Sequence, residues 1–252
     1  MDFKHKTVLI TGGSRGIGAA TALAFAQHGA RVAISYQSNT KGAAEVLAGL
    51  PGEGHIHIQA DVANPNEVKN MVDQVVAIFG RLDIVINNAG VFSPHPIDEV
   101  DYATWQKSWH DTIMVNLIGA SNVCYCAAQY MIQQGGGRIV NVSSRGAFRG
   151  EPEFPAYGAS KAALNAMSQS LAQKLGPHNI AVTVIAPGFV ETDMAKASLE
   201  GEGGKAIRQQ STLGRVATPE EVAFGILFYA SEGALFMTGG IMDINGASYL
   251  RS

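Results

Sequence analysis

Tyr157 and Lys161 stand four residues apart in AYGASKAAL (156–164), a run of good helix formers. On a helix that spacing is about one turn, so a phenol and an ammonium share one face. A lysine beside a tyrosine favours the phenolate and draws the phenol below its ordinary pKa of about 10, toward use as an acid or base near neutrality. Taken alone, the pair also fits a surface contact worth about 0.5 kcal/mol or less. Its meaning depends on what else the chain brings to that helix.

A second chemical feature lies near the start. TGGSRGIG (11–18) follows a short apolar run and precedes AATALAFAQHG (19–29), which reads as a helix closing on Gly29. Glycines at 12, 16 and 18 permit a tight turn and close backbone approach to a pyrophosphate held at the helix N-terminus. Gly12, Ser14, Arg15, Gly16, Ile17 and Gly18 are therefore candidates for binding a dinucleotide. An acidic residue some 20 positions on would bind the adenosine ribose and repel a 2′-phosphate. Here the second strand ends in SYQSNTK (35–41), and no Asp or Glu appears before Glu45. Arg15, with Ser35, Tyr36, Gln37 and Ser38 around it, would pair with a 2′-phosphate instead, which predicts NADP(H) over NAD(H). The alternative for Arg15 is a solvated loop cation.

These residues need a scaffold, and the rest of the chain reads as one. Short runs rich in β-branched residues recur at 7–11, 31–36, 55–59, 82–87, 138–143, 181–186 and 240–245, mostly separated by longer helix-compatible segments. Several are continuously apolar, as for strands covered on both faces. The alternation predicts an α/β fold with a doubly wound, parallel, seven-stranded sheet. No composition break divides residues 1–252, so a single domain is expected. Ligands in such a fold sit beyond the carboxyl ends of the strands, which singles out Asp61, NNAG (87–90), Ser143 with Ser144, and Pro187 with Gly188. The stretch 191–215 reads as a loop over the site, mobile at LEGEGGK (199–205).

Composition excludes other classes. Charged residues make up 15% of the chain against 46% apolar, with a formal net charge of −3. That balance leaves no electrostatic footprint for nucleic acid or an anionic membrane. The apolar run at the N-terminus is too short for a signal segment, so a cytoplasmic protein is expected. Cys124 and Cys126, two apart on a helical stretch, do not share a face and point to packing rather than a disulfide; no metal site is expected.

With the glycine turn, NNAG, Asn116, Ser144, Tyr157 and Lys161 taken together, the sequence resembles the classical short-chain dehydrogenase/reductase family over essentially its whole length. The Thr-Gly-x-x-x-Gly-x-Gly form of the turn is that family's own, and Ser144 precedes Tyr157 by the 13 residues it commonly uses. The nearest-looking subgroup is that of 3-oxoacyl-carrier-protein reductases and related sugar and carbonyl reductases. The resemblance implies a Rossmann fold and hydride transfer between NADP(H) and a small-molecule ketone or secondary alcohol. Tyr157 would be the acid or base, Lys161 would tune it and hold the nicotinamide ribose, and Ser144 would hydrogen-bond the substrate oxygen. Asn116, on the helix after the fourth strand, would position a water that links Lys161 to solvent. Ser143 rivals Ser144, and a structural cap is the other reading of Asn116. Asp61 and Val62 would contact adenine, Asn88, Ala89 and Gly90 would approach its ribose while bracing the sheet, and Pro187, Gly188, Val190 and Thr192 would flank the nicotinamide. Asp83 and Asp243 are expected to be structural.

The pocket rim would come from 91–105, 145–154 and 191–215. Phe92, Phe148 and Phe154 would supply apolar walls, and Arg145, Arg149 and His95 would meet a polar or anionic substrate or else stay solvated. QYMIQQGGG (129–137) lacks the basic residues that carrier-protein reductases of this type use for docking. The family usually forms twofold dimers and then tetramers, so a homotetramer or homodimer is expected. A regulator that binds nucleotide on the same scaffold without turnover is the reading from another class.

Overall fold

The computed structural model describes residues 1–200 and 203–251. Seven strands form one parallel sheet: β1 (Thr7–Ile10), β2 (Arg31–Tyr36), β3 (Ile56–Gln59), β4 (Ile84–Asn87), β5 (Gly137–Val142), β6 (Ile180–Pro187) and β7 (Ile241–Ile244). Their spatial order is β3-β2-β1-β4-β5-β6-β7. The chain therefore runs outward from β1 in one direction, then returns to start again at β4. That reversal opens a crevice between the carboxyl ends of β1 and β4.

All seven predicted strands are present, with end shifts that have local causes. The third begins at Ile56 because His55 turns inward, its Nδ1 accepting the Val32 N–H at 3.1 Å. The fourth begins after Asp83, whose carboxylate accepts the backbone N–H of Thr7 at 2.9 Å and the guanidinium of Arg81 at 2.6 Å. Asp83 thus ties the starts of β1 and β4, the structural role expected of it. Asp243 is held by Arg251 at 2.7 Å.

Alternation along the strands builds a core on each face. Val8 and Ile10 of β1 join Phe25 and Ile34 on one side, covered by α1 (Gly16–Gln27) and α10 (Pro219–Ala230). Leu9 joins Val85, Val123 and Met131 on the other, under α3 (Pro65–Phe79), α5 (Ala120–Gln134) and α7 (Pro155–Leu175). Helix starts follow local chemistry. Asn64 accepts from Asn66 N and Glu67 N before α3, and Thr218 and Glu221 form a reciprocal capping box before α10. α4 (Tyr102–Ile113), capped by Asp101, continues into α5 through a π turn at Met114–Gly119 that contains Asn116. Such one-turn widenings often mark functional positions.

The stretch 191–215 is not a loop throughout. It folds into α8 (Asp193–Glu200) and α9 (Gly204–Gln209), held by an apolar cluster of Ala195, Leu199 and Val216 with Phe189 and Ile207. Part of the run expected to be mobile, residues 201 and 202, lies outside the described residues. Between β2 and β3 lies α2 (Thr40–Gly49), and α6 (Gly146–Arg149) follows β5. Among the described residues no helix is long and apolar enough to cross a membrane. Cys124 and Cys126 are both free thiols.

Candidate active site and cofactor cleft

A cavity of about 340 Å³ runs along the carboxyl edge of the sheet, from the glycine turn to Ser144, Tyr157 and Lys161. Every residue predicted to bind cofactor or take part in chemistry lines it except Gly18 and Asn116. Both exceptions stand just behind the wall. A Cβ on Gly18 would come within 2.3 Å of the Gly12 carbonyl, so the glycine lets α1 press against its own turn. Gly12 has φ +65°, and a Cβ there would meet the Ala89 backbone at 3.0 Å. The same contact is stitched by Asn88, whose Nδ2 donates to the carbonyls of Thr11 and Gly12 at 2.9 and 3.0 Å.

These features fit a dinucleotide. No side chain caps the N-terminus of α1, which leaves its first N–H groups for an anion. Ser35 is buried in the cavity wall, and its hydroxyl has no partner among the described residues. Arg15 is exposed at the rim. Asp61 is engaged laterally, accepting from Gln37 Nε2 at 2.9 Å and from the Ala63 N–H at 2.9 Å. At the other end, Val190 pairs with Ala217 through its neighbours: Glu191 N donates to Ala217 O, and Ala217 N to Phe189 O. In an extended segment this turns the N–H of Val190 away from that pairing, and Val190 lines the cavity.

The chemical end of the cavity is built on α7. Pro155 occupies its first turn, where a missing N–H costs nothing, and His95 Nε2 accepts the Ala156 N–H at 3.1 Å. His95 is fully buried, with Nδ1 on Ser93 O at 2.8 Å. It braces the helix start and does not face the substrate, correcting one sequence expectation. Phe92 does line the cavity, whereas Phe154 stacks behind it at 3.7 Å and Phe148 lies outside, under Arg251. Phe92 meets the Tyr157 ring edge-on at 4.7 Å and holds its orientation.

Lys161 is buried, and its Nζ donates to the carbonyl of Val142 at 2.8 Å, 5.6 Å from the Tyr157 ring centre. Burial in a low-dielectric site disfavours both charged forms. The Tyr157 phenol is pushed up to about 12, offset in part by Ser144, and the Lys161 ammonium down to about 8. Burial, rather than the lowering expected from the lysine, thus sets the direction of the tyrosine's shift. The two serines are now distinguished. Ser143 Oγ donates to the Lys161 carbonyl at 3.2 Å, while Ser144 Oγ accepts from the Gly146 N–H at 3.0 Å and keeps its own proton to donate. Asn116 is buried, its Oδ1 accepting the Val91 N–H at 2.8 Å and its Nδ2 donating to Val91 O and Ser160 Oγ at 3.1 and 3.2 Å. Glu151 also lines the cavity, and sequence reasoning placed it only in the rim. Its signal was weak, one carboxylate in a polar loop.

A family model described as Enoyl-(Acyl carrier protein) reductase matches residues 12–246. The chain belongs to the short-chain dehydrogenase/reductase family. It is 38% identical over 248 residues to the 3-oxoacyl-(acyl-carrier-protein) reductase FabG of Thermotoga maritima, covering 98% of each chain. It is 37% identical over 254 residues to an L-rhamnose 1-dehydrogenase (NAD(P)(+)) of a Sphingomonas species, covering 97% of this chain and 96% of that one. A Burkholderia cenocepacia short-chain dehydrogenase crystallised with NADP superposes with a TM-score of 0.91 at 36% identity, covering 98% and 99% of the two chains. This short-chain dehydrogenase/reductase is accordingly a nicotinamide-dependent oxidoreductase. Nothing among these relatives supports a regulator without turnover.

The buried lysine makes stability depend on pH. Its folded pKa of about 8 lies below the ordinary 10.5, so between those values the unfolded chain binds more protons and stability rises with pH. Below pH 8 both states are protonated and the full cost is present. Urea unfolding of the cofactor-free protein should show wild type gaining on the order of 3 kcal/mol relative to Lys161→Met between pH 7 and 10.5. A difference that stays constant across that range would show that the ammonium is not desolvated.

Proposed function

We propose that this reductase converts a ketone to a secondary alcohol, with Tyr157 delivering the proton. What supports this is the convergence of Tyr157, Lys161 and Ser144 on one cavity, where the Ser144 hydroxyl accepts from the Gly146 N–H and so has a proton to donate, while burial pushes the Tyr157 phenol up. Reduction needs a proton donor at the carbonyl oxygen, and a phenol neutral at physiological pH is one. The nicotinamide cofactor supplies the hydride. Ser144 would stabilise the negative charge that grows on the oxygen. Lys161, anchored on Val142, would hold the nicotinamide ribose and return a proton to Tyr157. Asn116 is a positioning residue: its side chain fixes Val91 and Ser160, and through Ser160 the turn of α7 that carries Tyr157, whose carbonyl accepts from Ser160 Oγ at 2.7 Å. In this place it would order the water leading from Lys161 to solvent.

NADPH is the cofactor we favour. No carboxylate follows β2 to repel a 2′-phosphate, and Arg15 stands at the cavity mouth with Ser35 and Ser38 opposite. The Burkholderia neighbour holds NADP, while the Sphingomonas enzyme is named for both cofactors. The Thermotoga and Sphingomonas relatives are named for unlike substrates, a 3-oxoacyl chain on a carrier protein and a sugar.

We further propose a homotetramer. Large apolar side chains are exposed on two parts of the molecule, Tyr125 on α5, 68% exposed, and Phe224 on α10 with Phe236 and Leu250 on either side of β7 in the chain, Phe236 being fully exposed. Two self-complementary patches generate two twofold axes, which close at four chains.

Following NADPH absorbance with a panel of ketones, Tyr157→Phe is expected to lower kcat by about 10²- to 10⁴-fold. Turnover indifferent to that change would defeat the proton-donor assignment. Arg15→Ala should raise the KM for NADPH about 10- to 100-fold and leave NADH nearly unaffected. An equal effect on both cofactors would refute the 2′-phosphate contact. Light scattering should give a particle of four chains, and a monomer would rule out both interfaces.

A further inference from the structure

Arg145 follows Ser144 directly and brings into the catalytic cavity a charge that no ion pair among the described residues neutralises. Only 3% of the residue is exposed. Its Nη2 donates to the amide oxygen of Gln210 at 2.5 Å, and its guanidinium lies 5.2 Å from the ring centre of Phe189. Arg149, exposed at the rim, reaches the same Gln210 oxygen at 3.3 Å. Two cations therefore converge on one neutral acceptor. Burial lowers the pKa of Arg145, and the neighbouring Arg149 adds to the effect.

The surroundings narrow what could complete this cluster. Arg145 and Phe189 also line an adjoining cavity of about 190 Å³. There the other charges are already matched, Arg215 by Glu221 at 2.6 Å and Asp243 by Arg251 at 2.7 Å. The hydroxyl of Ser248 in its wall is buried without a partner among the described residues. Glu151 is the carboxylate whose charge reaches both Arg145 and Arg149, but it pairs with neither. Two guanidiniums against one carboxylate leave a net charge of one. A guanidinium has five N–H donors in a planar fork, a shape that matches a carboxylate through two parallel bonds. A buried, unmatched cation is costly unless an anion joins it.

We propose that the substrate is a ketone that also bears a carboxylate, and that Arg145, aided by Arg149, binds that carboxylate while Ser144 and Tyr157 engage the carbonyl. This rests on the reductase reading of the same site. Hydride adds to the carbonyl carbon from the reduced nicotinamide, the proton of Tyr157 adds to the oxygen, and the carboxylate passes through unchanged. The cluster's single net charge suits a monoanion better than a phosphate dianion.

The test compares keto acids with their own methyl esters, from 4-oxopentanoate to 4-acetylbenzoate, in wild type, Arg145→Met, Arg145→Lys and Arg149→Met. Wild type should favour the acids, and the acid-to-ester ratio of kcat/KM should fall about 10- to 100-fold in Arg145→Met, chiefly through KM. Arg145→Lys should retain part of the preference, and the exposed Arg149→Met, which leaves the buried cation in place, should lose about threefold. Benzoate titrated calorimetrically into the NADPH-loaded protein gives a readout without turnover, with binding expected in wild type and lost in Arg145→Met. Phosphonate analogues that outcompete the carboxylates would replace the monoanion by a dianion and overturn the assignment. Tyr157-dependent reduction with no acid preference, or equal benzoate binding in wild type and Arg145→Met, would sink the anion site and leave the reductase standing. Benzoate binding that needs Arg145, without Tyr157-dependent turnover of any ketone, would do the reverse.

Discussion

The site depends on one buried contact, the Lys161 ammonium donating to the Val142 carbonyl at the end of β5. An ammonium out of water is unfavourable, and a single carbonyl offsets only part of that cost. The sheet and the helix must therefore hold it in place by packing elsewhere. They do so through a polar seam on α7: Ser168 accepts from Asn141 of β5 at 2.8 Å, and Asn141 accepts from Asn87 of β4 at 2.8 Å. Once α7 is fixed against β4 and β5 in this way, Tyr157 one turn before Lys161 has little freedom, and Phe92 closes the remaining side.

The same burial gives the two groups their chemical character. Desolvation opposes phenolate and ammonium alike, pushing the Tyr157 phenol up and the Lys161 ammonium down. Nearby charge is what would change the balance.

Specificity lies in parts of the molecule remote from that seam. The relatives share the chain from end to end and a fold that superposes closely, yet their substrates have little in common. The sheet does not constrain the residues after Ser144 or the helices α8 and α9, which border the two cavities. Arg145 and Gln210 join those two segments directly.

Much of this was legible in the sequence. Apolar runs of strand length separated by helical periods dictated a parallel sheet, because only such a sheet is covered on both faces. Glycine spacing marked the turn that lines the cavity, since tight turns depend on local backbone geometry, whereas the set of Ser144, Tyr157 and Lys161 came from the resemblance to a family. Tertiary structure decided the rest. That burial raises the Tyr157 pKa, that Ser143 is consumed by a carbonyl while Ser144 is not, that His95 braces a helix, and that Glu151 enters the cavity all depend on contacts between segments far apart in the chain. The stretch 191–215 shows the boundary most clearly. It reads as loop, yet 193–200 and 204–209 are helical, with a small apolar cluster, assembled only in the folded protein, for those turns to pack against.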